Sequence, residues 1–399
     1  MKRTRPICVM IFVILSTLLG PASEALWGLD IVLERIYRGY TTFHTDIYWV
    51  SPDTLAITNY DKPYMLLFNI EQNRGKMVTV EDVPDKTQCH YEIIDADLDA
   101  QKLILQVYYE KERFKDIYQH YLYDVATGRI TNLETEAEAI RANPEAYFKD
   151  FRYYFASEKE PISKTAYRYI LYRYDRYTGV KERLYFSEEP LYYFDILQYD
   201  EERGLFFAKN SLVNYQNFFI IPYDGNTLGT PQDIGYERGG NAALLLGRYI
   251  VGAGESVEED FAKVVIRKIN SKQIVQKIPQ LETNFGYSQR VFAVNPRKNL
   301  LAVLGLNYNQ LQYPDFPDCI SIYRYIPEAE INDDRVRFRS GPSTSADILG
   351  VFTKKDRVKI YERSEKPMTI GDQTSYWYKV KKSDGKEVWV FGAFLTFLD

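Results

Sequence analysis

Cysteine and histidine are scarce, with three of each in 399 residues. Cys8 falls in the first apolar stretch, which leaves Cys89 and Cys319 for a folded body and excludes a disulfide scaffold. Cys89 and His90 are neighbours, but adjacent strand residues point to opposite faces, so they cannot act as nucleophile and base for each other. His44 and His120 are the remaining histidines. No Gly-x-Ser-x-Gly elbow occurs. Gly252-Ala253-Gly254 lacks a third glycine, because Val257 stands there, so no phosphate cradle is present. Asp95, Asp97 and Asp99 alternate like the start of a calcium loop. Ala100 replaces its glycine, however, and Gln106 its bidentate acid. The three read as a solvated turn between inner strands, and Glu258-Glu259-Asp260 as a solvated loop. No catalytic residue, metal site or cofactor is expected, although paired carboxylates that meet only in space escape a sequence reading.

A long hydrophobic run is also missing. Lys2, Arg3 and Arg5 precede thirteen largely apolar residues, Ile7 to Leu19; Gly20-Pro21 breaks the run, and Ser23-Glu24-Ala25 follows. This is the pattern of a secretory signal peptide over 1–25. A transmembrane helix needs about 20 apolar residues, so an uncleaved N-terminal anchor is the less favoured alternative. No transmembrane segment is expected after its removal, and the chain reads as exported, periplasmic or extracellular. Net charge is −5, and the first 25 residues carry +2, which leaves −7. Such a chain has no general electrostatic pull toward nucleic acid or anionic lipid.

Aromatic residues are abundant: 35 Tyr, 22 Phe and 4 Trp. Tyr, Phe and Val suit the pleated, half-buried surface of strands. One pattern recurs between residues 26 and 326, an apolar run, a polar turn and a second apolar run. Ser51-Pro52-Asp53 precedes Leu55, Asp97–Gln101 precedes Leu103, Asp200–Gly204 precedes Leu205, and Asn295–Asn299 precedes Leu301. The gaps of 48, 102 and 96 residues are one period and two double periods of about 50. Weaker members at Tyr154 and Tyr249 fill the doubles. The expectation is an all-β chain with a six-bladed, alternatively seven-bladed, β-propeller. A pair of β-sandwiches is the competing arrangement. The run from Ile31 to Tyr40 is available to complete the last blade and close the ring. Cys89 and Cys319 then sit in blades two and six, too far apart for the Cα separation of about 7 Å that a disulfide tolerates. The turn at Ser51-Pro52-Asp53 resembles those of the broad bacterial propeller family.

Thr135–Ala142 predicts one helix, with Thr135 as N-cap, Glu138 completing a capping box, and Asn143-Pro144 as the stop. The alternation of Tyr and Arg over Tyr167–Tyr174 reads as an outer blade strand, with a contact surface as the alternative. Residues 327–334 are polar and Pro-led and read as a linker, which makes the propeller and the C-terminal region separable units.

From residue 335 the turn signals crowd together. Gly341-Pro342, Lys355-Asp356 and Asp384-Gly385 separate short apolar runs, which predicts a small β-barrel. Ser383–Lys386 is a tight hairpin turn in which Gly385 supplies the positive φ. Val336, Phe338-Arg339-Ser340-Gly341-Pro342-Ser343, Ile348-Leu349-Gly350, Trp377-Tyr378-Lys379-Val380 and Gly385 with Val388-Trp389-Val390 resemble the bacterial SH3 domain family (SH3b). The resemblance spans 335–395 and departs from the pattern at Lys355 and Glu387. It implies an SH3-like module over 335–399 that binds cell-wall peptidoglycan or an envelope protein. Arg337, Arg339, Tyr361 and Tyr376 are its expected groove residues, beside a rim at Ser364–Thr374. Bracing of its turn is the alternative role for Arg339, and Trp377 and Trp389, also carried as ligand-binding candidates, belong largely to the fold. The expected function is a non-enzymatic envelope binding protein with a propeller scaffold. The alternatives are a glycan-active hydrolase or lyase on the propeller face, and a protein-interaction hub.

Overall fold

The structure is a computed structural model that describes residues 29–38, 45–59, 62–83, 89–112, 115–161, 167–186, 194–200, 203–210, 217–236, 242–253, 261–269, 274–284, 291–305 and 319–398. The N-terminal segment, His44 and Glu258–Asp260 lie outside these residues.

The recurring turns join antiparallel strands. In the first sheet Thr45–Ser51, Thr54–Asn59, Met65–Asn69 and Arg74–Val78 lie side by side in chain order. Trp49 stands opposite Leu55, and Leu55 opposite Phe68. The side chain of Asn69 accepts from the Gln72 amide at 2.8 Å and shapes the last turn. The second sheet holds Cys89–Asp97, Lys102–Glu112, Lys115–Asp124 and Ile130–Asn132. The third has three strands, Tyr153–Pro161, Tyr167–Asp175 and Lys181–Arg183. The fourth holds Phe194–Asp200, Leu205–Asn210, Asn217–Pro222 and Gln232–Tyr236. The fifth holds Ala242–Leu245, Tyr249–Ala253, Phe261–Lys268 and Ile274–Asn284.

The closing strands take the expected pairing and then run beyond it. Phe292–Asn295 and Leu300–Gly305 pair in order with a 13-residue strand, Cys319–Ile331. The N-terminal strand Leu29–Arg38 pairs along the other edge of this strand, from Leu29 opposite Pro327 to Arg38 opposite Cys319. The long strand does not end there. Glu328, Ala329 and Glu330 pair with Lys359, Val358 and Arg357, and Ala329–Ile331 also pair with Leu395–Phe397. One ten-stranded sheet therefore spans the end of the propeller and the barrel. The chain is all-β, with a propeller arrangement of five blades that stand as sheets of their own, and this corrects the expected six or seven. Pro327–Ile331, read as linker, is strand: Ala329 and Ile331 are buried in the barrel core with Val336, Phe338, Ile360 and Val380.

The ring closes through side chains as well as strands. Trp49 Nε1 donates to the Ala293 carbonyl at 3.0 Å, Asn295 Nδ2 donates to the Pro52 carbonyl at 3.0 Å, and Lys298 is ion-paired with Asp53. Tyr48 donates to the Ile93 carbonyl of the second sheet at 2.9 Å. Cys89 and Cys319 are buried and are not bridged to each other.

The predicted helix is shorter and doubled. Helix α1 is Ala137–Ala142 and helix α2 is Pro144–Phe148. Thr135 does not cap: its amide and that of Glu134 donate to Asn132 Oδ1, each at 3.0 Å, so the Asn132 turn delays the helix. Pro144 starts the second helix rather than stopping the first, because its missing N–H costs nothing at N1. Among the described residues no helix is long and apolar enough to cross a membrane.

Candidate functional site

The turns between paired strands gather at one end of the propeller, and the barrel sits on that end. The Arg363 amide donates to the Arg297 carbonyl at 2.8 Å. Asn299 Nδ2 donates to the Ile360 carbonyl at 3.0 Å, and Arg248 Nη1 to the Phe397 carbonyl at 3.2 Å. The rim expected to face a ligand faces the propeller at two points: Glu365 pairs with Arg297 at 2.9 Å and Lys366 with Asp150 at 3.5 Å.

The predicted groove residues are accordingly dispersed. Tyr376 is only 8% exposed, and the Arg363 guanidinium lies 3.9 Å from its ring centroid, so it is an interface residue and not a rim residue. Trp377 is buried, with Nε1 directed at the Met368 sulfur and its ring 5.6 Å from that of Phe391. Tyr361 is half-buried. Arg339 donates to the Ala346 carbonyl at 2.7 Å and braces the Gly341–Ala346 turn; it stands opposite half-buried Trp389. Arg337 is exposed, opposite Val351 on the outer hairpin.

Between barrel and propeller lies a cavity of about 230 Å³. Asp97 and Asp99 line it from the second sheet, Tyr199, Asp200 and Arg203 from the fourth, and Arg363, Tyr376 and Tyr378 from the barrel. Its acids are held unequally. Asp200 accepts from Arg203 Nη1 at 3.0 Å and from the Arg203 amide at 3.1 Å. Asp99 faces Arg363 across 3.6 Å, and its Oδ1 is buried with no hydrogen bond. Asp95, two residues before Asp97, is paired with Arg176. Among the described residues the hydrogen bonds of Asp97 are to backbone: its Oδ1 accepts from the amides of Asp99 at 2.9 Å and Ala100 at 2.7 Å, and the charge of Arg176 acts on it as well. Burial pushes the Asp97 carboxyl up to about 6; the Ala100 amide opposes this, and the like charges of Asp99 and Asp95 add to it. Burial likewise raises Asp99, against the pull of Arg363.

The sequence reading met this triad as a solvated turn and did not single out Arg203 or Arg363. The only advance signal was three acids in five residues on a repeat turn; what would cover them lies more than 250 residues away in the chain. Among the described residues no group of three or more His, Cys, Asp or Glu side chains is arranged to hold a metal ion.

Several solved structures resemble the chain at low identity. No curated protein matches it. A luciferin-regenerating enzyme is 10% identical, covering 80% of this chain and 99% of its own, with a TM-score of 0.41. Regucalcin, a calcium-binding protein from Agrobacterium tumefaciens, is 11% identical, covering 70% of this chain and 90% of its own, with a TM-score of 0.38. The PQQ-bound aldose sugar dehydrogenase of Streptomyces coelicolor is 11% identical, covering 74% and 98%, with a TM-score of 0.41. The propeller arrangement rests on the sheet order itself. For the barrel the comparison is direct: residues 334–396 match the bacterial SH3 domain family.

Proposed function

We propose that this chain is an exported, non-enzymatic binding protein of the cell envelope, in which the SH3-like barrel holds peptidoglycan or an envelope protein and the propeller is its scaffold. The match of residues 334–396 to the bacterial SH3 domain carries this reading, and the basic-then-apolar N-terminus supports export. Because the Ser364–Thr374 rim is engaged with the propeller, contact with the wall falls to the outer hairpin. There Arg337 is exposed beside Ile348, Leu349 and Val351, which are 50%, 55% and 55% exposed. An Arg fork beside apolar surface suits the carboxylates of wall peptides.

A glycan hydrolase needs two carboxylates free to act on one bond. In the cavity Asp99 is held by Arg363 and Asp200 by Arg203, which favours binding over hydrolysis. The test is sedimentation of the chain, without residues 1–25, with purified cell-wall sacculi. Retention above that of an unrelated acidic protein of similar size is expected, with Arg337→Ala lowering it several-fold. Retention equal to the unrelated protein rejects the cell-wall partner and leaves the protein-partner reading.

A further inference from the structure

Around the propeller one sheet shares a buried apolar cluster with the next. Met65 of the first sheet clusters with Leu105 of the second, Leu171 of the third with Phe206 of the fourth, and Phe207 of the fourth with Leu244 of the fifth. A further cluster runs from the fifth sheet through the closing strands to the first. The second and third sheets differ. Among the described residues the buried cluster between them is Leu122, Phe148 and Phe151, close to the repeat turns, where helix α2 supplies Phe148. Arg176 crosses to Asp95 there, with its guanidinium 3.9 Å from the Phe151 ring centroid and 4.4 Å from that of Tyr154.

Away from the turns the facing walls are polar and aromatic. Tyr91, Leu105 and Tyr121 of the second sheet pack on the first, so the alternate residues Glu92, Gln106, Tyr108, Tyr118 and His120 face the third. They form two rows across the strands. His90 and Tyr108 stack at 4.9 Å between centroids, and Tyr108 and Tyr118 at 5.5 Å. In the next row Gln106 Nε2 donates to Glu92 at 3.2 Å, and the Gln106 Oε1 lies 3.0 Å from His120 Nε2. On the third sheet Phe155 and Leu171 pack toward the fourth, so Tyr154, Glu158, Tyr172 and Tyr174 face the second. Tyr154 and Tyr174 stack at 4.6 Å, and the Lys181 ammonium lies 3.9 Å from the Tyr172 ring centroid. Tyr118 is 51% exposed, and Gln106, Tyr108, Tyr154 and Tyr174 are half-buried, so the cleft is open to solvent.

The acids of these walls are hydrogen-bonded within them: Asp95 to Arg176, Glu158 to Lys181, Glu134 to His120, Glu160 to Tyr172 and Glu92 to Gln106. A carboxylate that holds one partner keeps lone pairs for hydroxyl groups. Rings beside such acceptors suit a ligand with flat C–H faces and hydroxyls at its rim, which is the chemistry of a sugar of gluco configuration. We infer that the cleft between the second and third sheets binds a neutral oligosaccharide, with sugar faces on the tyrosine rings and hydroxyls on the Glu92–Gln106–His120 row. The cleft is separate from the outer hairpin of the barrel, so either assignment stands if the other fails.

The test is calorimetric titration of the full chain with cellotetraose, chitotetraose and glucose, none of which carries the peptide carboxylates assigned to the hairpin. At least one tetrasaccharide is expected to bind saturably and about tenfold or more tighter than glucose, because several sugars then meet the walls at once. Which of the two binds tells whether the sugar carries N-acetylamino groups. Tyr118→Ala is expected to weaken that binding about fivefold or more. Tyr153→Ala is expected to leave it unchanged, because Tyr153 neighbours Tyr154 but points to the opposite face of the third sheet. No saturable binding of either tetrasaccharide, affinity equal to that for glucose, native affinity in Tyr118→Ala, or equal losses in the two variants each overturns the assignment. If Tyr118→Ala does not fold, the ratio of tetrasaccharide to glucose on the native chain decides.

Discussion

Asp97 serves its turn and strains its charge at once. Its Oδ1 organises the turn by accepting two amides, while burial opposes its ionised form. Its carboxyl titrates near 6 in the folded chain and near 4 when unfolded. Between those values the folded chain binds the extra proton, so stability falls as pH rises through the window and the loss is complete above about 6. Asp97→Asn escapes this loss while retaining the turn. The variant should match the native chain near pH 4 and exceed it at pH 7.5 by on the order of 1–2 kcal/mol, since Asp97 keeps some solvent contact. Urea unfolding at the two values checks this; a variant less stable than native at pH 7.5 would mean that the carboxylate has a counter-charge.

At the scale of the element, the repeat turns depend on backbone conformations that few residues allow. Gly204, in the turn before Leu205–Asn210, has φ +59°, and a Cβ there would lie 2.6 Å from the Tyr223 carbonyl oxygen. That neighbour is backbone and cannot move aside, because the Tyr223 amide donates to the Gly204 carbonyl at 2.7 Å. Gly225 also has positive φ, but a Cβ would meet nothing within 4 Å. Gly225→Ala should cost about 1 kcal/mol, from the backbone alone; Gly204→Ala should cost about 2–3 kcal/mol, with steric overlap added. Equal costs in urea unfolding would mean that the Gly204 turn relaxes freely.

These turns were legible because their chemistry is local. Ser51-Pro52-Asp53, Asp200–Gly204 and Asn295–Asn299 carry their own signals, as does the Gly385 hairpin. The shared strand was misread although its pattern was present. Glu328, Ala329, Glu330 and Ile331 alternate polar and apolar, the period of a strand with one buried face, but Pro327 and the acids weighed toward a linker. The blade count failed with it, since the strands that would make a last blade belong to a sheet continuous with the barrel. The cavity was illegible for another reason. Its wall comes from turns in four sheets and from the barrel, and nothing at Asp97 indicates that Arg363 and Tyr376 will lie across from it.

At the scale of the whole molecule, the shared strand decides how the chain unfolds. Domains joined by a flexible linker melt separately by default. Here Cys319–Ile331 is hydrogen-bonded into the propeller at one end and into the barrel at the other. Lys359 of the barrel also pairs with Asp30 of the N-terminal strand at 2.5 Å, and Arg297, Asn299 and Arg248 bond to barrel residues across the junction. Unfolding either body strips partners from the other, so calorimetry of the full chain should give one cooperative transition. A fragment starting at Glu330, the boundary that the linker reading suggests, loses the pairing of Glu328 with Lys359 and of Ala329 with Val358, as well as the buried Ala329 side chain. A domain of that size has little stability to spare, and the fragment should be unfolded by circular dichroism. Ile331→Ala, which empties a site in the barrel core, should cost about 2–5 kcal/mol and lower the melting of propeller and barrel signals together. Two resolved transitions in the full chain, or a fragment from Glu330 that melts cooperatively, would show that the barrel stands alone and that the strand joins two bodies without coupling them.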